Sequence, residues 1–388
     1  MELYPIVSNS QILFFAGMAP DFLLTYNHRT HHVRTFLLTN TGRAIEISSL
    51  LNNGLIRIAN KSLGISVICN AVKPLPNRVW IDINDAVKDV LSYADRILRG
   101  RHVIMCFSGG KDSSVALAIL SALMNYIDFR LHVIYVYVPF LDDVKGPAIA
   151  ASLAKRLGLD VEVIEPKRRD VKSYLRWLGL PKLGNRWCTK FKVIPVKRLA
   201  KELNGIIIVA DRAIESPKRC RKLLFTMYSR PREGVRKLYL ISKATLLDVI
   251  EISKSLSLVH PLYFKGVTRV SCALCPFKSL YEYAISFNEQ IVEDPGFIDS
   301  ILRNEYRKEY ARYVDENSFK ELMLWRFNPL RAKLLAKLHE FVERYLIEER
   351  SITYEELSAW FSSPWRQGVQ PEGLGISNVR DLCSILSL

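Results

Sequence analysis

The hexapeptide Ser108-Gly109-Gly110-Lys111-Asp112-Ser113 restricts the fold of this 388-residue chain more than any other stretch. It follows the apolar run "HVIMCF" and precedes "VALAILSALMNYI", where apolar residues recur at helical spacing, so the text reads strand, glycine-rich turn, helix. Two adjacent glycines let backbone N–H groups turn inward around an anion, and the start of the following helix adds its positive end. Lys111 can neutralise phosphate charge, Asp112 can hold Mg²⁺, and Ser113 can donate to an oxygen. The spacing is neither G-x-x-x-x-G-K-[ST] nor G-x-G-x-x-G, which sets aside P-loop kinases and the dinucleotide fingerprint.

The text around the loop alternates in the manner of an α/β protein. A helix is predicted through "INDAVKDVLSYADRIL", then strand "HVIMCF", a helix, strand "LHVIYVYV", helix "GPAIAASLAKRLG", strand "DVEVIE", a helix around "VIPVKRLAKEL" and strand "GIIIVA". Such alternation builds a parallel, doubly wound sheet with helical crossovers. Residues 1–75 read differently, as short β-rich runs such as "QILFFAG" and "VRTFLLTN" separated by Asn, Gly and Ser, and are expected to form a small β-rich domain. Residues 76–94 are a linker and helix, 95–290 the nucleotide domain, and 291–388 a helical C-terminal region. Its tail "SSPWRQGVQPEGLG" reads as a loop.

Charge and cysteine usage narrow the class. The net charge is +16, and residues 166–237 alone hold 21 Lys or Arg against 5 Asp or Glu, so that one segment carries the whole excess. A surface for phosphates, of a nucleotide or of a nucleic-acid backbone, is the expectation, because dispersed thermophile charge mixes both signs. About half the residues are apolar, which excludes a disordered chain, and no apolar run reaches the roughly 18 residues that span a bilayer. Seven scattered cysteines argue against a secreted disulfide framework. A soluble cytoplasmic protein without membrane attachment is expected.

Three further stretches fall in order after the loop. "RWCTKFKVIP" (186–195) has the pattern C-x-x-x-K-x-x-P, "ADRAIESPKR" (210–219) resembles G-x-R-x-x-E-S-x-x-R, and "HPLYFKGVTRVSCALCP" (260–276) resembles N-P-L-x-x-x-G-x-x-R-x-G-C-x-x-C-P. With the S-G-G-x-D-S loop, they resemble the PP-loop ATP-pyrophosphatase superfamily of adenine nucleotide alpha-hydrolase-like fold. Within it they are similar to the phosphoadenosine phosphosulfate (PAPS) reductase-like branch, including cysteine-bearing relatives involved in DNA phosphorothioation. The resemblance implies a loop that grips the β,γ-pyrophosphate of ATP while a nucleophile attacks the α-phosphorus. It implies catalytic roles for Lys111, Asp112 and Arg212. It also implies nucleotide contacts from Ser108, Gly109, Gly110, Lys111, Asp112, Ser113, Arg212, Glu215, Ser216 and Arg219. Departures are Ala210 for the first glycine, His260 for Asn and Ser271 for Gly. The C-terminal text "VRDLCSILSL" offers Cys383 without the cysteine motif of sulfonucleotide reductases.

Cys272 and Cys275 form a C-x-x-C pair, Cys188 lies in one matched stretch and Cys220 directly follows another. Four thiolates from three loops could close around a [4Fe–4S] cluster or, as second choice, zinc; a redox dithiol and ordinary buried cysteines are the other readings. Cys69 and Cys106 sit in apolar strand-like text and read as core. His28, His31 and His32 read as a polar loop. Three functions stay open. The first is an ATP/Mg²⁺-dependent enzyme that adenylates a nucleic acid and supports sulfur transfer, with a sulfur donor protein as a further partner. The second is a PAPS or adenosine phosphosulfate reductase, and the third a non-catalytic nucleic-acid-binding protein.

Overall fold

A computed structural model of the chain describes residues 79–212, 228–232, 235–345 and 354–366, together with the backbone of seven N-terminal strands. Strands β1 (Leu3–Ser8), β2 (Gln11–Ala16), β3 (Pro20–Asn27), β4 (His32–Leu38) and β5 (Ala44–Glu46) pair antiparallel in sequential order. β6 (Leu55–Ile58) and β7 (Lys61–Gly64) form a separate hairpin. The β-rich text of this region thus forms strands, although most of "GISVICNAV" lies outside the described residues.

The α/β part begins with helix α1 (Ile83–Leu98), whose N-cap Asp82 accepts from the amides of Asn84 and Asp85 at 2.8 and 3.0 Å. Strand β8 (His102–Cys106) leads through the loop into α2 (Lys111–Leu123). Then come β9 (Arg130–Val136), α3 (Gly146–Lys155), β10 (Glu162–Ile164), α4 (Arg168–Leu178), α5 (Cys188–Glu202) and β11 (Ile206–Ile208). β12 (Tyr228–Arg232) and β13 (Val235–Leu238) complete a sheet of order β10-β9-β8-β11-β13-β12. Five neighbouring strands are parallel, and β12 is an antiparallel edge strand.

Strand periodicity explains the two layers of helices. Successive residues point to opposite faces. Val103 and Met105 of β8, Val133 and Tyr135 of β9, and Ile206 and Ile208 of β11 therefore enter one core, with α1, α2, α3 and helix α6 (Leu246–Ser255). Ile104, Ile134, Val136 and Ile207 enter the other, against Val196 and Ala200 of α5. Residues on both faces are apolar, as a sheet covered on both sides requires. Helix α2 is buried from Ser113 through Leu120, which is why its text is apolar on nearly every side.

The C-terminal region is helical: α7 (Leu280–Ser286), α8 (Pro295–Glu305), α9 (Glu316–Glu321), α10 (Pro329–Tyr345) and α11 (Tyr354–Arg366). Val171 and Leu175 of α4 share one core with Ile298 and Ile301 of α8, Phe319 of α9, Leu335 of α10, and Trp325 of the 3₁₀ turn Leu324–Arg326 before α10. The region thus packs against α4, the segment after β9 (Val138, Phe140, Leu141) and Trp187 before α5. No described helix is long and apolar enough to cross a membrane.

Candidate active site

The sheet order places the loop where ligands bind in open α/β folds. The chain leaves β8 through α2 to reach β9 on one side, and later returns as β11 on the other, so the strand order reverses between β8 and β11. A crevice opens outside the carboxyl ends of the strands at such a reversal. Gly109 there adopts φ +72°, a left-handed conformation that favours glycine. Its missing Cβ also leaves room for His260, whose Cδ2 would lie 3.4 Å away.

Around the crevice the loop residues are mutually bonded. Ser113 Oγ donates to the Gly110 carbonyl at 2.8 Å and lies 3.1 Å from Ser108 Oγ, which accepts from the Gly110 amide at 3.3 Å. From the end of β11, Arg212 crosses the reversal point: its Nε lies 2.7 Å from Asp112 Oδ1, while Lys111 Nζ lies 3.2 Å from Oδ2. Arg212 is 5% exposed. Burial works against the charge on Asp112, but Lys111 and Arg212 outweigh it and hold the carboxyl below its ordinary range. Burial likewise opposes the charge on Lys111; Tyr263 and Asp112 overcome it and raise its pKa. The structure therefore brings together Lys111, Asp112 and Arg212, 100 residues apart in sequence, with Ser108, Gly109, Gly110 and Ser113. Glu215, Ser216 and Arg219 lie outside the described residues.

Tyr263 joins the loop although sequence reasoning gave it no role. Its Oη accepts the Lys111 backbone N–H at 3.0 Å, one of the unsatisfied donors at the start of α2. The ring belongs to a 3₁₀ turn, Pro261–Lys265, that His260 caps by accepting the Leu262 amide at Nδ1 (3.2 Å). Burial pushes the His260 pKa down to about 4. Behind Tyr263, Trp365 stacks at 4.4 Å between centroids and 24° between planes. Ser358 Oγ and Arg366 Nη2 donate to the carbonyls of Lys265 and Phe264, both at 2.6 Å. Here the first part of the expected loop tail is corrected: α11 runs through Ser362, Pro364 and Trp365 to Arg366, and residues 367–375 lie outside the described residues. Docking on the 3₁₀ turn outweighs a proline in its last turn.

The cysteines gather one strand away. Cys188 opens α5 and Lys192 follows one turn later, its Nζ 2.9 Å from Asp142 Oδ1. Asp142, 1% exposed, also accepts the Val138 amide at 2.8 Å. Burial, then the nearby Asp142 carboxylate, raise the Cys272 thiol; burial, then Cys275, raise that of Cys188. The C-x-x-C loop is braced by buried Lys278, whose Nζ donates to the Ala273 carbonyl at 3.2 Å and to Ser286 Oγ at 2.9 Å. Burial takes the Lys278 pKa down to about 8. Cys188, Cys272 and Cys275 are soft donors within electrostatic reach of one another, the chemistry that iron–sulfur clusters and zinc take. Among the described residues no group of three or more His, Cys, Asp or Glu side chains is closed into a metal site; Cys220 and Cys69 lie outside them. Cys106 packs against the α5 face of the sheet, as its apolar text suggests.

A glycine-rich loop at the strand reversal, faced by an arginine that follows the neighbouring strand, is the arrangement of a PP-loop nucleotide domain. Residues 102–278 match the family model of the phosphoadenosine phosphosulfate reductase domain, which supports the PAPS reductase-like branch of the PP-loop superfamily. Among solved structures, it is similar to the U34-tRNA thiolase NcsA from Methanococcus maripaludis with its [4Fe-4S] cluster. Identity there is 17%, over 60% of this chain and 80% of that one, with TM-score 0.35. NAD⁺ synthetase from Burkholderia pseudomallei is 16% identical over 57% and 87% of the two chains, with TM-score 0.30. The NH₃-dependent NAD synthetase from Campylobacter jejuni is 14% identical over 61% and 94%, with TM-score 0.33. No curated protein matches the chain.

Proposed function

We propose that this protein binds ATP at residues 108–113 and adenylates a nucleic-acid substrate, releasing pyrophosphate, with the cysteine centre supporting sulfur transfer. The observation that carries the reading is the Lys111–Asp112–Arg212 bridge across the strand reversal, directly at the start of α2. Inward N–H groups and Ser113 receive the β,γ-phosphates, and Lys111 and Arg212 offset the negative charge that grows on the leaving group. A substrate oxygen forms a bond to the α-phosphorus as the bond to the bridging oxygen of the β-phosphate breaks. The substrate loses its proton to solvent, and pyrophosphate departs with the electron pair. Sulfide-level sulfur released as hydrosulfide by a donor protein then attacks the carbon bearing the adenylated oxygen; the carbon–sulfur bond forms as that carbon–oxygen bond breaks, AMP departs with the electron pair, and the hydrosulfide proton goes to solvent. Mg²⁺ bound with the nucleotide would screen triphosphate charge, and Asp112 is the carboxylate assigned to hold it, in exchange for its ion pairs with Lys111 and Arg212. Cys188, Cys272 and Cys275, with Cys220 as fourth ligand, would hold a [4Fe–4S] cluster or zinc. The excess charge of residues 166–237 supports a polyanionic substrate. Glu215, Ser216 and Arg219 are assigned to the nucleotide, and residues 95–290 to the catalytic domain.

The test is pyrophosphate release from ATP by the whole protein, alone and with RNA or DNA, beside the Lys111→Ala and Asp112→Asn variants. Release by the wild type that either substitution abolishes supports the reading. Equal release by Asp112→Asn, or none by the wild type with sulfite formed from PAPS, overturns it, the latter outcome identifying a reductase.

A further inference from the structure

Helix α4 presents a face that the fold leaves to solvent. Val171 and Leu175 are buried, while Arg169, Ser173, Arg176 and Trp177 are exposed on the other side. At 77%, Trp177 is the most exposed large apolar side chain among the described residues. Its ring is nevertheless held from behind. Tyr174 meets it edge-on at 6.3 Å and packs in turn on Trp187 (5.4 Å) and Phe191 (5.1 Å), beside Cys188 at the start of α5.

The surrounding cations divide into two sets. Arg168 pairs with Glu165 and Glu293, Lys172 with Asp294, and Lys182 with Glu305 and Glu309, so those charges are balanced within the fold. Arg169, Arg176, Arg186 and Lys190 are exposed, and among the described residues none of them has an acid at ion-pair distance. An exposed aromatic ring ordered at its base, on a helix that also exposes Arg169 and Arg176, fits a base that stacks while its flanking phosphates are neutralised. A second copy of this chain would bring like charge against like charge. The face lies on an exposed helix, which suits stacking on an open ring better than the enclosed pocket that holds a base extruded from a duplex. It therefore needs bases that are already unpaired, the normal state of loops in folded RNA.

We infer that Trp177, with Arg169 and Arg176, is a docking face for an unpaired loop of an RNA substrate, placed two aromatic contacts from Cys188. The inference rests on the nucleic-acid substrate of the proposed function, but not on ATP turnover. Binding of the full chain is measured without nucleotide, using a fluorescein-labelled RNA hairpin, a perfect RNA duplex of the same stem, and the equivalent DNA hairpin. Trp177→Ala should weaken the RNA hairpin about tenfold or more with an unchanged salt slope. Trp177→Phe should retain most of the affinity, and duplex binding should be unaffected. Arg169→Ala should lower the slope of log affinity against log salt by about 0.7 for the one phosphate lost. Wild-type affinity in Trp177→Ala overturns the inference, as do equal losses on duplex and hairpin, tighter binding of the DNA hairpin, or a change of oligomeric state as the sole effect. Should Asp112→Asn lose pyrophosphate release while Trp177→Ala binds like wild type, the docking face fails and the ATP reading survives.

Discussion

Asp112 holds two cations at once, and this sets what its loss does to the protein. A loop carboxylate seen only in the sequence looks dispensable to packing, yet here it faces a buried guanidinium at 2.7 Å. Asp112→Ala should therefore cost about 1–3 kcal/mol of stability besides abolishing turnover. Asp112→Asn keeps a hydrogen-bonding oxygen and should lose activity with a smaller change; urea melts beside pyrophosphate assays separate the two. His260 supplies a pH test. Its folded pKa of about 4 lies below the ordinary 6.5, so between those values the unfolded chain binds the extra proton. The stability is complete above pH 6.5 and is lost as pH falls toward 4, by on the order of 2–3 kcal/mol. His260→Asn retains an acceptor for the Leu262 amide and removes this titration. Its melts at pH 7.5 and pH 5 should differ less than those of the wild type. A wild-type acid response in the variant would place the sensitivity elsewhere.

Elements differ in how readily the sequence discloses them. The strand, loop and helix around Ser108 were legible because every cue is local: an apolar run, two glycines and a helical repeat. The order of motifs also put Arg212 beside the loop. Tyr263 was not legible, since its partner Lys111 is 152 residues away and its ring looks like any aromatic in a turn. Trp365 was hidden further, in text whose proline, glycines and polar residues read as a loop. Asp142 gave no signal at all before the fold placed it against Lys192. At Gly266 the contact between α11 and the 3₁₀ turn can be tested without touching the site. With φ +90°, and a Cβ position 2.7 Å from Ser358 Cα, alanine forces the elements apart. Gly266→Ala should raise the ATP KM and expose Trp365 to quenchers. Trp365→Ala should destabilise by about 3 kcal/mol and Trp365→Phe by much less, with the KM following the same order.

At the level of the whole molecule, two kinds of charged centre are expected to declare themselves by composition and by salt. Protein purified without oxygen should carry iron and acid-labile sulfide. Serine at Cys188, Cys220, Cys272 or Cys275 should lose them together, because one missing thiolate opens a four-ligand site. Undiminished metal in Cys220→Ser would leave a three-cysteine site. Nucleic-acid affinity should fall with salt, and more steeply for the wild type than for Arg169→Ala. Arg168→Ala should change that slope little, since Glu165 and Glu293 already occupy its charge.

The stack of Trp365 on Tyr263 also orders events in time. A ribosome delivers β8, the phosphate loop and α2 early, and the 3₁₀ turn that carries Tyr263 well after them. The ring that fixes Tyr263 emerges roughly a hundred residues later still. A nascent chain can thus complete its parallel sheet while the tyrosine beside Lys111 is still unsupported. On the proposed function, chains that end before α11 should therefore hold ATP less tightly than the whole chain.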